Sequence, residues 1–214
     1  MTDDDRHGGV LPPSVVAALL AGGSGSRFHV PAESERPSHK LAAQLPATST
    51  EPAQTVFERA TRHVCRSGFG HVIVVTGSWQ APELPSALTA ALTVVDNPDW
   101  AAGQITSVRL AITTAANLGA ERVVIGLADQ PFVTPDAWRT VGQAAGPIAV
   151  ATYGGRRGNP VALDSTVWDL LPDAGDEGAR ALMRIRPDLV REVACSGSPA
   201  DIDTAEDLRR WQNN

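Results

Sequence analysis

The sequence predicts an α/β fold in which a mostly parallel β-sheet is covered by helices on both faces. Short apolar runs rich in β-branched residues alternate with helix-like segments along the chain. A glycine-rich segment follows the first run, where sheets of this kind bind ligands. The 214 residues, 43% of them hydrophobic, are enough for one substantial core. We therefore expect a flexible tail over residues 1–13 and a single domain over residues 14–214.

Four runs are predicted to be buried strands because they are short, continuous and bounded by Gly, Pro or Asp. They cover residues 15–20, 71–76, 122–127 and 148–151. Four segments between or beside them are predicted to be helices from their apolar spacing and end signals. They cover residues 51–67, 85–92, 105–117 and 135–145, and Gly119 closes the third.

Composition excludes several classes of partner. The formal net charge is -6, and no cluster of Lys or Arg is present, which argues against a nucleic-acid footprint or a membrane-surface patch. Cys65 and Cys195 are far apart and belong to no Cys-x-x-Cys pair, so neither a zinc site nor a disulfide framework is expected. The N-terminus is acidic and the apolar run behind it is shorter than a membrane span. We expect a cytoplasmic protein that binds a small molecule.

The glycine-rich segment, residues 22–26, suits an anion. Its N–H groups can surround a phosphate at the end of a buried strand, and Arg27 adds a positive charge. It is not a P-loop, which requires Gly-Lys-Ser/Thr, and Phe28 stands where a dinucleotide fingerprint has its third glycine. Ser26 stands where an esterase elbow has glycine. The remaining alternative is a flexible surface turn.

Lys40 is the only lysine among 18 basic residues. Its compact ammonium acts on phosphate as a point charge, where the planar guanidinium fork of arginine fits less well. The position just beyond the glycine-rich segment therefore predicts a phosphate contact shared with Arg27. The alternative is that a single lysine falls here by chance.

Carboxylates follow at two places. Asp129 comes just after a predicted strand, where an acidic side chain can hold a metal ion or serve a purely structural purpose. Asp203 precedes Thr204 and Asp207, which have the spacing of a capping box in its Asp form. The second stretch is therefore equally compatible with a plain helix start.

Six segments, taken in order, resemble the nucleotidyltransferases that attach CMP or GMP to the molybdenum cofactor. They are LLAGGSGSRF with Lys40, NPDWAAGQITSVRLAI, LADQP, GGRRGNPVAL, GDEGARALM and DIDTAEDL. The resemblance spans residues 15–211, and the later segments are most similar to molybdenum cofactor cytidylyltransferases. It implies a Rossmann-like three-layer nucleotidyltransferase fold with a mostly parallel mixed sheet. It also implies Mg²⁺-dependent transfer of CMP from CTP to the terminal phosphate of molybdopterin, with release of pyrophosphate.

The resemblance also implies residue roles. The catalytic residues would be Arg27, Lys40, Asp129 and Asp203, of which the two aspartates would hold Mg²⁺. The nucleotide would contact Leu20, Ala21, Gly22, Gly23, Ser24, Gly25, Arg27, Lys40, Gly103, Ser107 and Asp129. The acceptor would contact Gln130, Asn159, Asp176 and Arg180. For Ser107 a plain helix cap, and for Asp176 and Arg180 a mutual ion pair, are the alternatives.

Three features leave other functions open. The sequence Ala-Gly-Gly at residues 21–23 is more typical of the guanylyltransferase branch, which predicts GTP as the alternative donor. The long segment 29–39 and Ala128, where glycine is usual, would suit a different phosphorylated acceptor. A chain that binds nucleotide or cofactor as a chaperone for a recipient molybdoenzyme, without turnover, is the alternative from another class. Metal-binding carboxylates favour an enzyme, since a binding protein needs none.

Overall fold

The computed structural model of the protein describes residues 10–26, 28, 39–49, 51–83 and 91–212. In these residues the strands are β1 (Val15–Leu20), β2 (Gln44–Leu45), β3 (Gln54–Thr55), β4 (Val72–Thr76), β5 (Leu92–Asp96), β6 (Arg122–Leu127), β7 (Ile148–Tyr153), β8 (Arg156–Asp164) and β9 (Val190–Ala194). The α-helices are α1 (Val56–Cys65), α2 (Gln104–Asn117), α3 (Pro135–Gln143), α4 (Ala179–Ile185) and α5 (Ala205–Gln212).

Seven strands form one sheet in the order β5-β4-β1-β6-β8-β7-β9, and β2 pairs with β3 separately. Pairing is parallel from β5 to β6, whereas β8 is antiparallel to both of its neighbours. β9 is parallel to β7. The predicted mostly parallel mixed sheet is confirmed. Because β1 lies between β4 and β6, its carboxyl end is the point where strand order reverses, and sheets of this kind open a ligand crevice there.

The core is divided by the sheet into two layers. Successive residues of β1 point to opposite faces, so Val16 and Ala18 join one cluster while Ala17 and Leu19 join the other. Helices α1, α3 and α5 pack on the second face, and α2 and α4 pack on the first. The result is the three-layer arrangement that the sequence predicts.

Helix α1 begins at Val56, later than the predicted residue 51. Thr55 caps it, because its hydroxyl accepts a hydrogen bond from the Glu58 N–H at 3.1 Å while the Glu58 carboxylate accepts from the Thr55 N–H at 2.7 Å. This reciprocal pair satisfies two N–H groups that would otherwise lack partners. Of the helix predicted over residues 85–92, residues 85–90 lie outside the described part of the chain, and Leu92 begins β5.

Five strands escaped prediction: the two-residue strands β2 and β3, and three strands of the large sheet. β5 and β9 lie at the edges of the sheet and expose some of their side chains, so they lack continuous apolar runs. β8 begins with two arginines and contains Pro160, and proline is unusual within a strand. Of the tail expected over residues 1–13, residues 1–9 lie outside the described part of the chain, and Leu11 is buried in the core, where its N–H donates to the Gly68 carbonyl at 2.9 Å.

None of the helices in the described residues is long and apolar enough to cross a membrane.

Candidate active site

Three predicted catalytic residues meet at the carboxyl end of β1. The Nζ atom of Lys40 lies 2.5 Å from Oδ2 of Asp129 and 2.6 Å from Oδ1 of Asp203. The exposed fractions of the three side chains are 12%, 18% and 22%. Arg27, the fourth predicted member, lies outside the described residues. The site is therefore a largely buried cluster of one cation and two anions.

Backbone pairing brings the two aspartates together. The N–H of Ala128 donates to the Leu20 carbonyl at 2.9 Å, which ties the end of β6 to the end of β1. The N–H of Ile202 then donates to the Asp129 carbonyl, also at 2.9 Å. Since Ile202 directly precedes Asp203, this bond places the second carboxylate beside the first.

The segment around Asp203 has both of the functions that the sequence left open. The Thr204 hydroxyl accepts from the Asp207 N–H at 3.1 Å, and the Asp207 carboxylate accepts from the Thr204 N–H at 2.9 Å. This is the predicted capping box at the start of α5. It leaves the Asp203 side chain directed toward Lys40. A cap and a site residue are therefore adjacent in the chain.

The electrostatics keep Lys40 charged. Burial lowers the pKa of its ammonium, but Asp129 and Asp203 act in the opposite direction and leave the pKa above its usual value. Burial also raises the pKa of the neighbouring Asp201 carboxyl, and the charge of Asp129 adds to that effect. At neutral pH the site therefore contains a lysine cation against two aspartates, with a third carboxyl nearby.

One atom of the cluster fits a bound cation. Oδ1 of Asp129 is buried and has no hydrogen-bond partner in the described residues, although a buried polar atom normally has one. In the same part of the chain no three His, Cys, Asp or Glu side chains converge to hold a metal by themselves. Mg²⁺ commonly binds through one or two carboxylates together with substrate phosphates. Asp129 and Asp203 fit that mode.

A cavity of about 300 Å³ opens beside this cluster. Most of the residues predicted to contact the nucleotide line it: Leu20, Ala21, Gly22, Gly23, Ser24, Lys40, Gly103, Ser107 and Asp129. Gly25 lies just outside, against His39. The residues that sequence reasoning missed here are Leu41, Trp100, Ala101, Gln104 and Leu127. Trp100 and Gln104 lie within the segment NPDWAAGQITSVRLAI. Their position near Gly103 and Ser107 in that segment could have indicated that they also line the nucleotide site.

The amino end of α2 forms one wall of this cavity. Gly103 precedes the helix with φ +113°, and a Cβ atom there would lie 2.7 Å from both Asp176 Oδ1 and the Gly175 carbonyl oxygen. Only glycine allows so close an approach. Ser107 is not a helix cap: it lies one turn inside α2, and its hydroxyl accepts from the Asn97 side-chain amide at 2.9 Å.

A second cavity of about 430 Å³ adjoins the first. Leu20, Gln104 and Leu127 line both, so the two spaces are neighbours. Its remaining walls combine apolar side chains with polar and charged groups from β8 and the region of α4. The remaining lining residues are Val108, Ile125, Val150, Arg157, Gly158, Asn159, Val161, Glu177, Ala179, Arg180, Met183 and Arg184.

The four predicted acceptor residues do not lie together. Asn159 and Arg180 line the second cavity, whereas Asp176 lines the first. The structure shows no ion pair between Asp176 and Arg180. Gln130 is buried and lines neither cavity. Its amide donates to Asp201 at 2.6 Å and accepts from Asn159 at 3.0 Å, so it connects the aspartate segment to β8.

Comparison with known proteins bears on the family and the fold of this chain. A family model described as the MobA-like NTP transferase domain matches residues 17–193. A nicotine blue oxidoreductase from Paenarthrobacter nicotinovorans is 29% identical over 211 residues, which are 92% of this chain and 96% of that protein. A nucleotidyl transferase from Methanothermobacter has a TM-score of 0.73 at 24% identity, covering 93% of this chain and 96% of that one.

A further solved structure contains a metal. Rv0371c from Mycobacterium tuberculosis in complex with manganese has a TM-score of 0.65 at 26% identity, covering 94% of this chain and 98% of that one. The family model covers most of the present chain, and the solved structures share its fold over nearly their whole length. The chain therefore belongs to the MobA-like NTP transferase family.

Proposed function

We propose that this protein is a cytoplasmic cytidylyltransferase that transfers CMP from CTP to the terminal phosphate of molybdopterin and releases pyrophosphate. The observation that carries the proposal is the meeting of Lys40, Asp129 and Asp203 beside a cavity lined by glycine backbone. Transfer between phosphates requires little covalent participation by protein. Catalysis comes mainly from positioning and from neutralising charge.

Asp129 and Asp203 would hold Mg²⁺, which would supply charge neutralisation at the reacting phosphates. The buried, unpartnered Oδ1 of Asp129 supports this assignment. So does the manganese complex of Rv0371c, since that protein has the same fold at 26% identity. Lys40, which bridges the two carboxylates, also lines the cavity proposed for the nucleotide. Its ammonium therefore lies beside the position where the triphosphate would bind.

Lys40 would neutralise the leaving pyrophosphate. Its four-carbon stem is flexible, so the ammonium can turn from the aspartates toward a phosphate without movement of the backbone. The raised pKa of Lys40 keeps it charged for this purpose. Arg27 would act on the same pyrophosphate, and the short sequence distance between Arg27 and the cavity-lining Ser24 supports that assignment.

The second cavity would take the acceptor. The acceptor phosphate must approach the α-phosphate of the nucleotide roughly in line with the leaving group, and the shared walls at Leu20, Gln104 and Leu127 make the two cavities suitable for that approach. Apolar walls interspersed with polar and charged groups suit a flat polar heterocycle such as a pterin. Arg180 lines this cavity and would contact an anionic group of the acceptor.

Two alternatives remain distinguishable. The Ala21-Gly22-Gly23 sequence favours GTP as donor, and the acceptor would then be molybdopterin or another phosphorylated molecule. A non-catalytic chaperone that delivers the cofactor to a recipient molybdoenzyme would need no metal-binding carboxylates. The buried Lys40–Asp129–Asp203 cluster therefore favours turnover.

Pyrophosphate release tests the proposal directly. Purified protein is incubated with Mg²⁺, purified molybdenum cofactor and either CTP or GTP, and the nucleotide product is identified by chromatography. We expect release that requires both CTP and the cofactor, with a higher kcat/KM for CTP. Preference for GTP would assign the guanylyltransferase alternative, and nucleotide binding without pyrophosphate release would assign the chaperone.

A further inference from the structure

His39 directly precedes Lys40 and links it to the glycine-rich segment. Together with Ala21, that segment is called the glycine loop below (residues 21–26). The Nε2 atom of His39 lies 3.1 Å from the Gly23 carbonyl oxygen, and its Nδ1 accepts a hydrogen bond from the Leu41 N–H at 3.3 Å. This residue is not among those proposed to contact the substrates or the metal. The bonds nevertheless join the two segments that would hold the triphosphate.

The partners determine the state of the imidazole. A backbone N–H can only donate, so Nδ1 must be unprotonated, and a carbonyl can only accept, so Nε2 must hold the proton. His39 is therefore neutral, in the tautomer with hydrogen on Nε2. Burial lowers the pKa of this imidazole, which agrees with a neutral ring.

Aromatic packing fixes the ring in place. The His39 ring stacks on Trp79 with centroids 5.4 Å apart and planes 14° apart. Trp79 in turn meets the edge of Phe57, which is fully buried in the core. On the other side, a Cβ atom at Gly25 would lie 3.0 Å from Nε2, and Gly25 has φ +61°. Both the loop and the core are therefore fitted to a ring at position 39.

The bond to Gly23 orients a peptide group of the cavity. In a trans peptide the N–H points opposite to the carbonyl, so a Gly23 carbonyl held by His39 directs the Ser24 N–H the other way. The preceding carbonyl, of Gly22, accepts from the backbone and the hydroxyl of Ser78, both at 3.2 Å. Two successive carbonyls are thus bonded to groups outside the glycine loop, and Gly23 and Ser24 line the nucleotide cavity.

We propose that His39 is a positioning residue: its neutral ring holds the Gly23 carbonyl and the start of the Lys40 turn together. The loop N–H groups and the Lys40 ammonium then bind one triphosphate. The expected effect of His39 on KM and kcat rests on the proposed function, whereas its effect on the conformation of the glycine loop does not. A change at His39 should raise KM for the nucleotide more than it lowers kcat, since the loop binds phosphate without taking part in bond breaking.

Two substitutions at His39 test its hydrogen bonds to Gly23 and to Leu41 separately. In His39→Asn the side-chain oxygen can take the place of Nδ1 and accept from Leu41, but the chain is too short to reach Gly23. In His39→Gln the side-chain amide can take the place of Nε2 and donate to Gly23. We expect kcat/KM to fall roughly tenfold in His39→Asn, mostly through KM, and to stay within roughly threefold of wild type in His39→Gln. His71→Gln is the matched control, because His71 directly precedes β4 and so lies at the edge of the sheet away from the site. This substitution should leave kcat/KM unchanged.

Two measurements on the ligand-free protein need no turnover. The ¹⁵N shifts of the wild-type His39 ring should show the neutral tautomer protonated on Nε2 at pH 7. Amide exchange in residues 21–25 should be roughly tenfold faster in His39→Asn than in wild type. Protonation on Nδ1, or equal exchange and equal KM in the Asn variant, would overturn the inference. If the ring and the exchange behave as expected but wild type releases no pyrophosphate, the proposed function fails and the linking of the loop by His39 stands.

Discussion

The ammonium of Lys40 lies 2.5 Å from a carboxylate oxygen of Asp129, although 89 residues separate them in the chain. Asp203 provides a second contact at 2.6 Å. One positive charge thus faces two negative charges, and the cluster has a formal charge of -1 (+1 - 2). A divalent cation would make the site positive, as binding of a triphosphate requires.

Removal of the Asp129 charge should abolish most activity. In Asp129→Asn we expect pyrophosphate release to fall by about two or more orders of magnitude, because the metal loses a charged ligand. The rate should be measured at saturating Mg²⁺, and circular dichroism should show a retained fold. Asp169→Asn changes an exposed carboxylate and is the control. Turnover near wild type in Asp129→Asn would show that the site is wrongly assigned.

Lys40→Arg tests whether the site needs an ammonium or only a positive charge. The planar guanidinium is wider than the ammonium, and the space between the two carboxylates is narrow. We expect kcat/KM to fall at least about tenfold, which is about 1.4 kcal/mol of transition-state stabilisation, with the melting temperature almost unchanged. Lys40→Ala should lower kcat more than it raises KM, since the charge on pyrophosphate develops as it leaves. Full activity in the arginine variant would remove Lys40 from the mechanism.

The raised pKa of Lys40 predicts a pH dependence of stability in the metal-free protein. Because the folded pKa lies above the unfolded value of about 10.4, the charged ammonium stabilises the fold below that pH, and its contribution is lost as pH rises through the folded pKa. In Lys40→Met two carboxylates are left facing each other, so we expect unfolding to cost about 3 kcal/mol less at pH 8.

Urea unfolding with EDTA from pH 7 to pH 11 measures this difference. The difference in the free energy of unfolding between wild type and Lys40→Met should be constant up to about pH 10 and should become smaller above it. Arg66→Met, which removes an exposed cation that contacts Glu51, should give a small gap throughout. A gap that widens at alkaline pH would contradict the assigned direction of the pKa shift.

Gly103 and Gly119 offer a matched test of the wall formed by α2. Both have positive φ, but only at Gly103 would a Cβ atom meet neighbours, namely Asp176 and the Gly175 carbonyl, whereas at Gly119 nothing lies within 4 Å. We expect Gly119→Ala to cost about 1 kcal/mol of stability from backbone strain alone. Gly103→Ala should cost at least about 1 kcal/mol more and raise KM for the nucleotide. Equal KM values in the two variants would show that this wall does not contact the nucleotide.

Local patterns were sufficient for the central strands. β1 and β6 have the predicted bounds because they are buried on both faces, so each reads as a continuous apolar run. The edge strands β5 and β9 were missed because exposed side chains interrupt that pattern. The capping box at Thr204 was also predictable, since a cap depends on residues only three positions apart.

From sequence alone the family and the α/β class could be predicted, and Lys40, Asp129 and Asp203 could be chosen as candidate site residues, because each depends on a motif or a short-range pattern. Only the tertiary structure showed that Lys40 bridges the two aspartates, that Gln130 connects the aspartate segment to β8, and that His39 bonds to Gly23. Those contacts join residues 16 to 163 positions apart. Strand order and pairing register determine which distant side chains meet, and no local pattern in the chain records them.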